Sequence, residues 1–246
     1  MRATKGLMVF AAAFIFCVAS DASPLLGQGT WRSSLQARDL NGDSIADAYY
    51  DTALKITWLD SDESGWVNWY GAQAWVSSLN QGSNTGWRLP ITRPTNGSTW
   101  TFAPDFAYAT NDGSTDWGYL HTTSELGHMF YVTLGNLGIC TPQPDDPGSC
   151  VIQSGYGMSN TGPFAKLFAY PGYYWSGTSS PFTDSAAFSF GSLGDTGDGL
   201  SKEFNSFLFG VAVHDGDVGK PLNVSEPASA AIAFLALSLL AVVRRR

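Results

Sequence analysis

Cations are scarce in this chain. Of thirteen lysines and arginines, Arg2, Lys5 and Arg244 to Arg246 lie in the terminal segments, which leaves eight across residues 23–225. Nineteen aspartates and glutamates share that stretch, so its formal net charge is −11. A surface this acidic repels nucleic acid and sulfated polysaccharides and favours cations, neutral glycans or simply solubility. Cysteine is scarcer still: Cys17 lies in an N-terminal apolar run, and only Cys140 and Cys150 remain. That pair has no neighbours suited to a thiolate metal site or a thiol nucleophile. His121, His128 and His214 are the only histidines, and the seven-residue separation of the first two does not give a compact chelate. No Ser-His-Asp arrangement, nucleophile elbow, phosphate-cradling glycine loop or His-Glu-x-x-His occurs. These absences point away from catalysis and toward binding.

Long apolar runs sit at the two ends. Arg2 and Lys5 precede an apolar stretch from Leu7 to Ala19, and Ser20, Ala22 and Ser23 offer small residues for cleavage. Residues 1–22 therefore read as a secretory signal peptide. Phe16 stands where a lipoprotein signal needs a small residue, so Cys17 is expected to be lost on export rather than lipidated. At the other end, Ser225-Glu226-Pro227 precedes Ala228 to Val243, where only Ser229 and Ser238 are polar, and the chain closes on Arg244-Arg245-Arg246. A helix over 228–243 would span about 24 Å, short of a hydrocarbon core of roughly 30 Å, which suits a transient anchor. The arginines mark its cytoplasmic end and leave the preceding residues outside. This tail resembles the PEP-CTERM sorting signal of bacterial surface proteins, with Ser225 in place of the first proline. The resemblance implies processing near Glu226 and Pro227 by an exosortase-type enzyme in an exopolysaccharide-secreting host. The alternative is a plain membrane anchor that is never cut. Either way the expected location is outside the cytoplasm, at the cell surface, outer membrane or extracellular matrix after inner-membrane anchoring.

Between these segments the composition changes little over residues 31–218, which reads as one domain, with a small, polar tether over 219–224. Cys140 and Cys150 flank a Pro- and Asp-rich loop, and in an oxidising compartment so close a pair is expected to form a disulfide. Trp69, Ala72, Val76 and Leu79 recur at helical spacing after a candidate cap, Asn68, with Gly82 as the stop. Thr122 to Glu125 read as a capping box ahead of Leu126, Met129, Phe130, Thr133 and Leu134, with Gly135 ending the helix. Strands are expected at 48–50, 55–59, 173–175, 186–190 and 207–213, the first of them following Asp39–Asp47, and residues 191–199 read as a loop. The class is α+β: short antiparallel sheets with two or more short helices.

The order of the pieces carries a second resemblance. Tyr50-Asp51-Thr52, Ile56 to Leu59, the helix from Trp69, Gly86-Trp87-Arg88-Leu89-Pro90, Ser124-Glu125, Tyr174-Trp175-Ser176-Gly177-Thr178 and Phe188 to Gly191 follow one another as in the Lcl_C domain. That family is named after the C-terminal domain of a bacterial collagen-like adhesin. The resemblance spans about residues 38–218 and implies extracellular adhesion, a relation to C-type-lectin-like folds, and self-association into a homo-oligomer. The adhesin recognises sulfated glycosaminoglycans, but a chain of net charge −11 lacks the basic groove they need. The partner expected here is an extracellular polysaccharide or surface glycan.

Four groups of residues are candidates for ligand contact. Asp39, Asn41, Asp43 and Asp47 place side-chain oxygens at relative positions 1, 3, 5 and 9 of a calcium loop, although Ser44 replaces the usual glycine and Tyr50 occupies position 12 unless Asp51 substitutes. The alternative is an Asn-Gly turn with solvated acids; as a site it would hold Ca2+ weakly. Gln143-Pro144-Asp145 matches a lectin calcium tripeptide without its partner strand. Arg88 points away from the core face of Trp87 and Leu89, with Glu125 as a candidate carboxylate partner or an acidic sugar as a ligand. Trp66, Trp69, Trp100, Trp117, Tyr119, Tyr173 and Tyr174 lie in or beside Gly- and Ser-rich stretches, where rings could stack on sugars; Trp117, Tyr119, Tyr173 and Tyr174 are the chosen candidates. Together these readings give an exported, non-catalytic binding protein. The competing classes are a secreted carbohydrate-active enzyme and a purely structural matrix protein.

Overall fold

Strands of two to seven residues, separated by turns rich in glycine, serine and aspartate, form most of the regular structure among the described residues. A computed structural model describes residues 29–80, 85–95, 97–101, 117–141, 150–168, 172–203 and 205–222. The class is α+β. One sheet contains β1 (Leu35–Asp39), β2 (Ala48–Asp51), β3 (Ile56–Leu59), β5 (Trp87–Arg88), β13 (Val213–Asp215) and β14 (Lys220–Pro221), in the order β14-β1-β2-β3-β13-β5. The other contains β4 (Trp66–Val67), β6 (Trp117–Gly118), β9 (Tyr173–Ser179), β10 (Ala186–Gly191), β11 (Thr196–Ser201) and β12 (Leu208–Phe209), in the order β4-β12-β9-β10-β11-β6. Among the described residues, only the β12 to β9 pairing is parallel. A separate ribbon pairs β7 (Cys140–Thr141) with β8 (Val151–Ile152), and it brings the two cysteine sulfurs to disulfide distance, with Cα atoms 5.0 Å apart.

Three short helical segments complete the described residues: α1 (Trp31–Ser34), α2 (Trp69–Leu79) and α3 (Glu125–His128), the last running into a π-helical turn over Met129–Thr133. The α2 boundaries follow the sequence closely. Asn68 accepts the Gly71 N–H at 2.9 Å as the N-cap, and Ala72 and Val76 face inward. The predicted stop, Gly82, lies outside the described residues.

The second helix departs from expectation at its start. It begins at Glu125 with Ser124 as N-cap, and the Ser124 hydroxyl turns away to bond Arg93 instead of the helix. The expected capping box is absent because Glu125 is drawn toward Arg88 and the Ile91 N–H. Gly135, in the left-handed region at φ +68°, follows the helix as predicted.

Three strand expectations are also corrected. Residues 207–213 do not form one strand, because the chain leaves the second sheet after Phe209 and enters the first at Val213. Ser64 fixes the crossing: its hydroxyl accepts the Gly210 N–H at 2.7 Å and donates to the Gly210 carbonyl at 3.2 Å. Residues 191–199 are a tight turn and most of β11 rather than a loop, since backbone pairing with β10 overrides the low strand preference of glycine. A first strand, β1, precedes the acidic segment, so Asp39 to Asp47 connects β1 to β2 as a hairpin loop.

The described core residues form two apolar clusters. Trp58, Phe130, Phe168, Tyr174, Phe190, Phe209 and Val213 belong to one, and Val76, Trp87, Leu89, Trp175, Ala187 and Leu208 to the other. β9 is buried on both faces because Tyr174 and Trp175 alternate between the clusters.

Candidate functional site

The acidic segment Asp39–Asp47 closes into a hairpin loop through its own side chains. Asp39 accepts backbone N–H groups from Asn41, Gly42 and Ser44 at 3.1, 2.5 and 3.0 Å, Asn41 accepts from Asp43 at 2.9 Å, and Asp43 from Ile45 at 2.8 Å. Asp47 closes the loop by accepting the Leu40 N–H at 2.8 Å. Ser44 takes the left-handed conformation, φ +67°, that the turn requires of its usual glycine. One carboxylate oxygen from each of Asp39, Asp43 and Asp47 lies within 4.8 Å of the others, a spacing compatible with ligands about 2.3 to 2.6 Å from one hard cation. The Gly42 N–H, with Ser44, Asn41 and the charge of Lys220, holds the Asp39 carboxyl below its ordinary range against the effect of desolvation. Asp51 does not supply the missing twelfth ligand. It is fully buried and caps the next turn, accepting from Ala53 and Leu54.

Arg88 is a clamp between elements. Its guanidinium holds both oxygens of Glu125, at 2.8 and 2.7 Å, and Asp215 at 2.6 Å, while Glu125 also accepts the Ile91 N–H at 2.8 Å. This joins β5, the start of α3 and β13. The pairing with Glu125 is the one the scarcity of cations predicts. With two carboxylates already around it, Arg88 is not presented to an acidic sugar, so its place among the ligand contacts is withdrawn. The same guanidinium holds the Asp215 carboxyl below its ordinary range.

A concavity among the described residues lies on the second sheet. Its volume is about 420 Å³, and its lining includes Tyr173, Ser189, Asp195, Asn205, Ser206 and Phe207. Local sequence explains the hollow. Ser189 stands opposite Gly197 of β11, and Gly197 and Gly199, having no side chains, leave that part of the sheet face bare. Leu208 closes one side, while the rings of Tyr173 and Phe207, 42% and 51% exposed, offer apolar faces. A volume within roughly 300 to 1,000 Å³, apolar rings and a few polar groups are the ordinary makeup of a small-ligand site.

Asp195 is the charged group described on that lining. It is 6% exposed, bonded to Tyr173, and its Oδ1 has no hydrogen-bond partner among the described residues. Burial pushes its carboxyl up, while the Tyr173 hydrogen bond works the other way. The Oδ1 atom lies over Gly191, where a Cβ would come within 2.2 Å of it, so residue 191 must lack a side chain for Asp195 to fold back. Three phenols share this surrounding. Tyr119 is pushed up to about 12 by burial and then by the Asp195 charge, Tyr173 is raised by the same two causes, and Tyr131, raised by burial, donates to the Gly194 carbonyl at 2.7 Å.

Of the aromatic candidates, Tyr173 lines the cleft and Tyr119 lies within the field of Asp195. The backbone of Trp117 pairs with Gly197 at the sheet edge. Tyr174 is corrected: it is 3% exposed and packs in the core against Phe168, because adjacent strand residues face opposite ways. Trp66 is exposed but meets Phe209 edge-on, on the other side from Leu208. Trp100 stacks on Phe188 and His121. Asp195, Asn205, Ser206 and Phe207 went unselected in the sequence. The signal that could have found them is Gly197 and Gly199 in the run that begins Gly194-Asp195, since glycines within a strand mark a close approach.

Gln143 to Asp145, the signal peptide, Glu226, Pro227, the helix at 228–243 and Arg244 to Arg246 lie outside the described residues. Among those described, no helix is long and apolar enough to cross a membrane. Comparison with protein-family models, with curated proteins and with solved structures yields no match.

Proposed function

We propose that this chain is an exported, non-catalytic binding protein of the cell surface or exopolysaccharide matrix, and that its cleft receives glycans. The cleft of about 420 Å³ carries this reading: exposed Tyr173 and Phe207 can stack on sugar faces while Ser189, Asn205 and Ser206 bond hydroxyls. The acidic composition supports a ligand that is not sulfated. In this proposal the resemblance to the Lcl_C domain accounts for adhesion and self-association. The resemblance of the tail to a PEP-CTERM signal accounts for membrane attachment through residues 228–243 and for release by an exosortase-type enzyme.

The acidic hairpin loop belongs to the same proposal as a weak calcium holder that stiffens the β1 to β2 connection. Millimolar Ca2+ should then raise the melting temperature of the wild type and not that of Asp43→Asn, and equal shifts in both would remove calcium from the proposal.

A glycan array read beside reducing-sugar release tests the main reading. Binding without turnover supports it, and turnover lost on changing Asp195 would establish the carbohydrate-active enzyme. A raised carboxyl such as Asp195 is the observation that favours this second reading. A monomeric, calcium-indifferent protein that binds no glycan would be the structural matrix component.

A further inference from the structure

We infer that the cleft selects glycans bearing a free primary amine, with the ligand ammonium acting as the counter-ion of Asp195. This rests on the glycan-binding reading and names its substrate class.

The argument starts from the missing partner. A carboxylate taken out of water needs either an opposite charge or a full set of donors. Asp195 is 6% exposed; Tyr173 and its own backbone N–H donate to the carboxyl, and Oδ1 is left without a hydrogen bond among the described residues. The described lining includes no lysine, arginine or histidine. The charged groups of Arg88 and Arg38 are already held by Glu125 with Asp215 and by Asp217, and Lys202 bonds Ser179 and the Asp184 carbonyl. Burial, Tyr173 and its own backbone N–H are what act on the Asp195 carboxyl, and no described lysine, arginine or histidine is among them.

The rest of the cleft suits an ammonium group. Tyr173 bonds the carboxyl and is itself 42% exposed, and aromatic faces attract cations. A neutral hydroxyl could donate a hydrogen bond to Asp195 but would leave its charge uncompensated. An N-acetyl group removes the charge and adds bulk, so acetylation of the amine should weaken binding. The net charge of −11 over residues 23–225 also attracts polycations in general, and the test has to separate that effect.

Binding should depend on pH through one group. Tyr119, Tyr131 and Tyr173 face Asp195, and all three phenols titrate above their ordinary range and stay neutral in mildly acidic solution. As pH falls, Asp195 takes up its proton and the preference for amine is lost.

Calorimetry on the purified chain would use glucosamine oligomers and their fully N-acetylated counterparts of equal length, in about 0.15 M salt, where exposed charges beyond roughly 8 Å are screened. The amine form is expected to bind about tenfold more tightly, a gap of about 1.4 kcal/mol. The ratio should fall to near one in Asp195→Asn and persist in Glu63→Gln, which removes one exposed acid away from the cleft and from the acidic loop. Equal affinity for both oligomers in the wild type overturns the amine inference and leaves glycan binding standing. A preference that survives in Asp195→Asn also overturns it, by assigning the effect to the general acidic surface. Failure of both oligomers, together with every glycan on an array, overturns both. The wild-type comparison needs no variant to fold.

Discussion

At the scale of the residue, burial and pairing decide what each acid does. Glu125 is nearly enclosed and held by Arg88 through two bonds, so Arg88→Ala leaves an uncompensated carboxylate. Urea unfolding should register a loss of about 3 kcal/mol. Asp195 behaves in the opposite sense. Burial raises its folded pKa above 3.8, so its favourable contribution is full below pH 3.8 and is lost as pH rises through the folded value. Asp195→Asn should therefore melt higher than the wild type at pH 7, with the gap closing toward pH 3; a lower melting temperature at pH 7 would count against an unpaired charge. The two acids were not equally legible in sequence. A chain with eight cations between its terminal segments must pair each with care, which made an Arg88 partner predictable. The isolation of Asp195 depends on the fold of a four-residue turn over Gly191, and no spacing announces it.

At the scale of the element, periodicity was readable where one face packs and unreadable where the chain changes partner. The α2 helix has a stripe of inward residues and a capping asparagine, and both survive into the structure. The run from Phe207 to Val213 has continuous strand character, yet its two halves join different sheets, because side-chain hydrophobicity does not say which neighbour a backbone will bond. Gly127 supplies a direct test of helix placement. A Cβ there would lie 2.1 Å from the His121 carbonyl oxygen, so the backbone before α3 must move. Gly127→Ala is expected to cost about 3 kcal/mol, measurable as a lowered urea midpoint with an unchanged slope. The β7 to β8 ribbon offers another test. With ten positions separating Cys140 from Cys150, the chain-entropy estimate gives about 3 kcal/mol for the cross-link. Chemical reduction should lower the melting temperature of the wild type and leave a Cys140→Ser, Cys150→Ser variant unmoved.

At the scale of the whole molecule, acid removes the stability that two carboxylates supply. The carboxyls of Asp39 and Asp215 sit below their ordinary values, so the stability they supply is present above pH 3.8 and is lost as pH falls through the folded pKa of each. A stability curve that stays flat from pH 5 down to pH 2 would contradict that assignment. Sequence order also fails to reveal the sheets, since each combines early and late segments of the chain. The strand seated between β3 and β5 comes from residues 213–215, and its Val213 and His214 lie opposite Trp58 and Trp87. Under the export proposed above, a polypeptide threaded N-terminus first through a narrow channel would keep those indoles waiting until residues 213–215 had followed them across. A stall before residue 213 would then leave the sheet unclosed between β3 and β5.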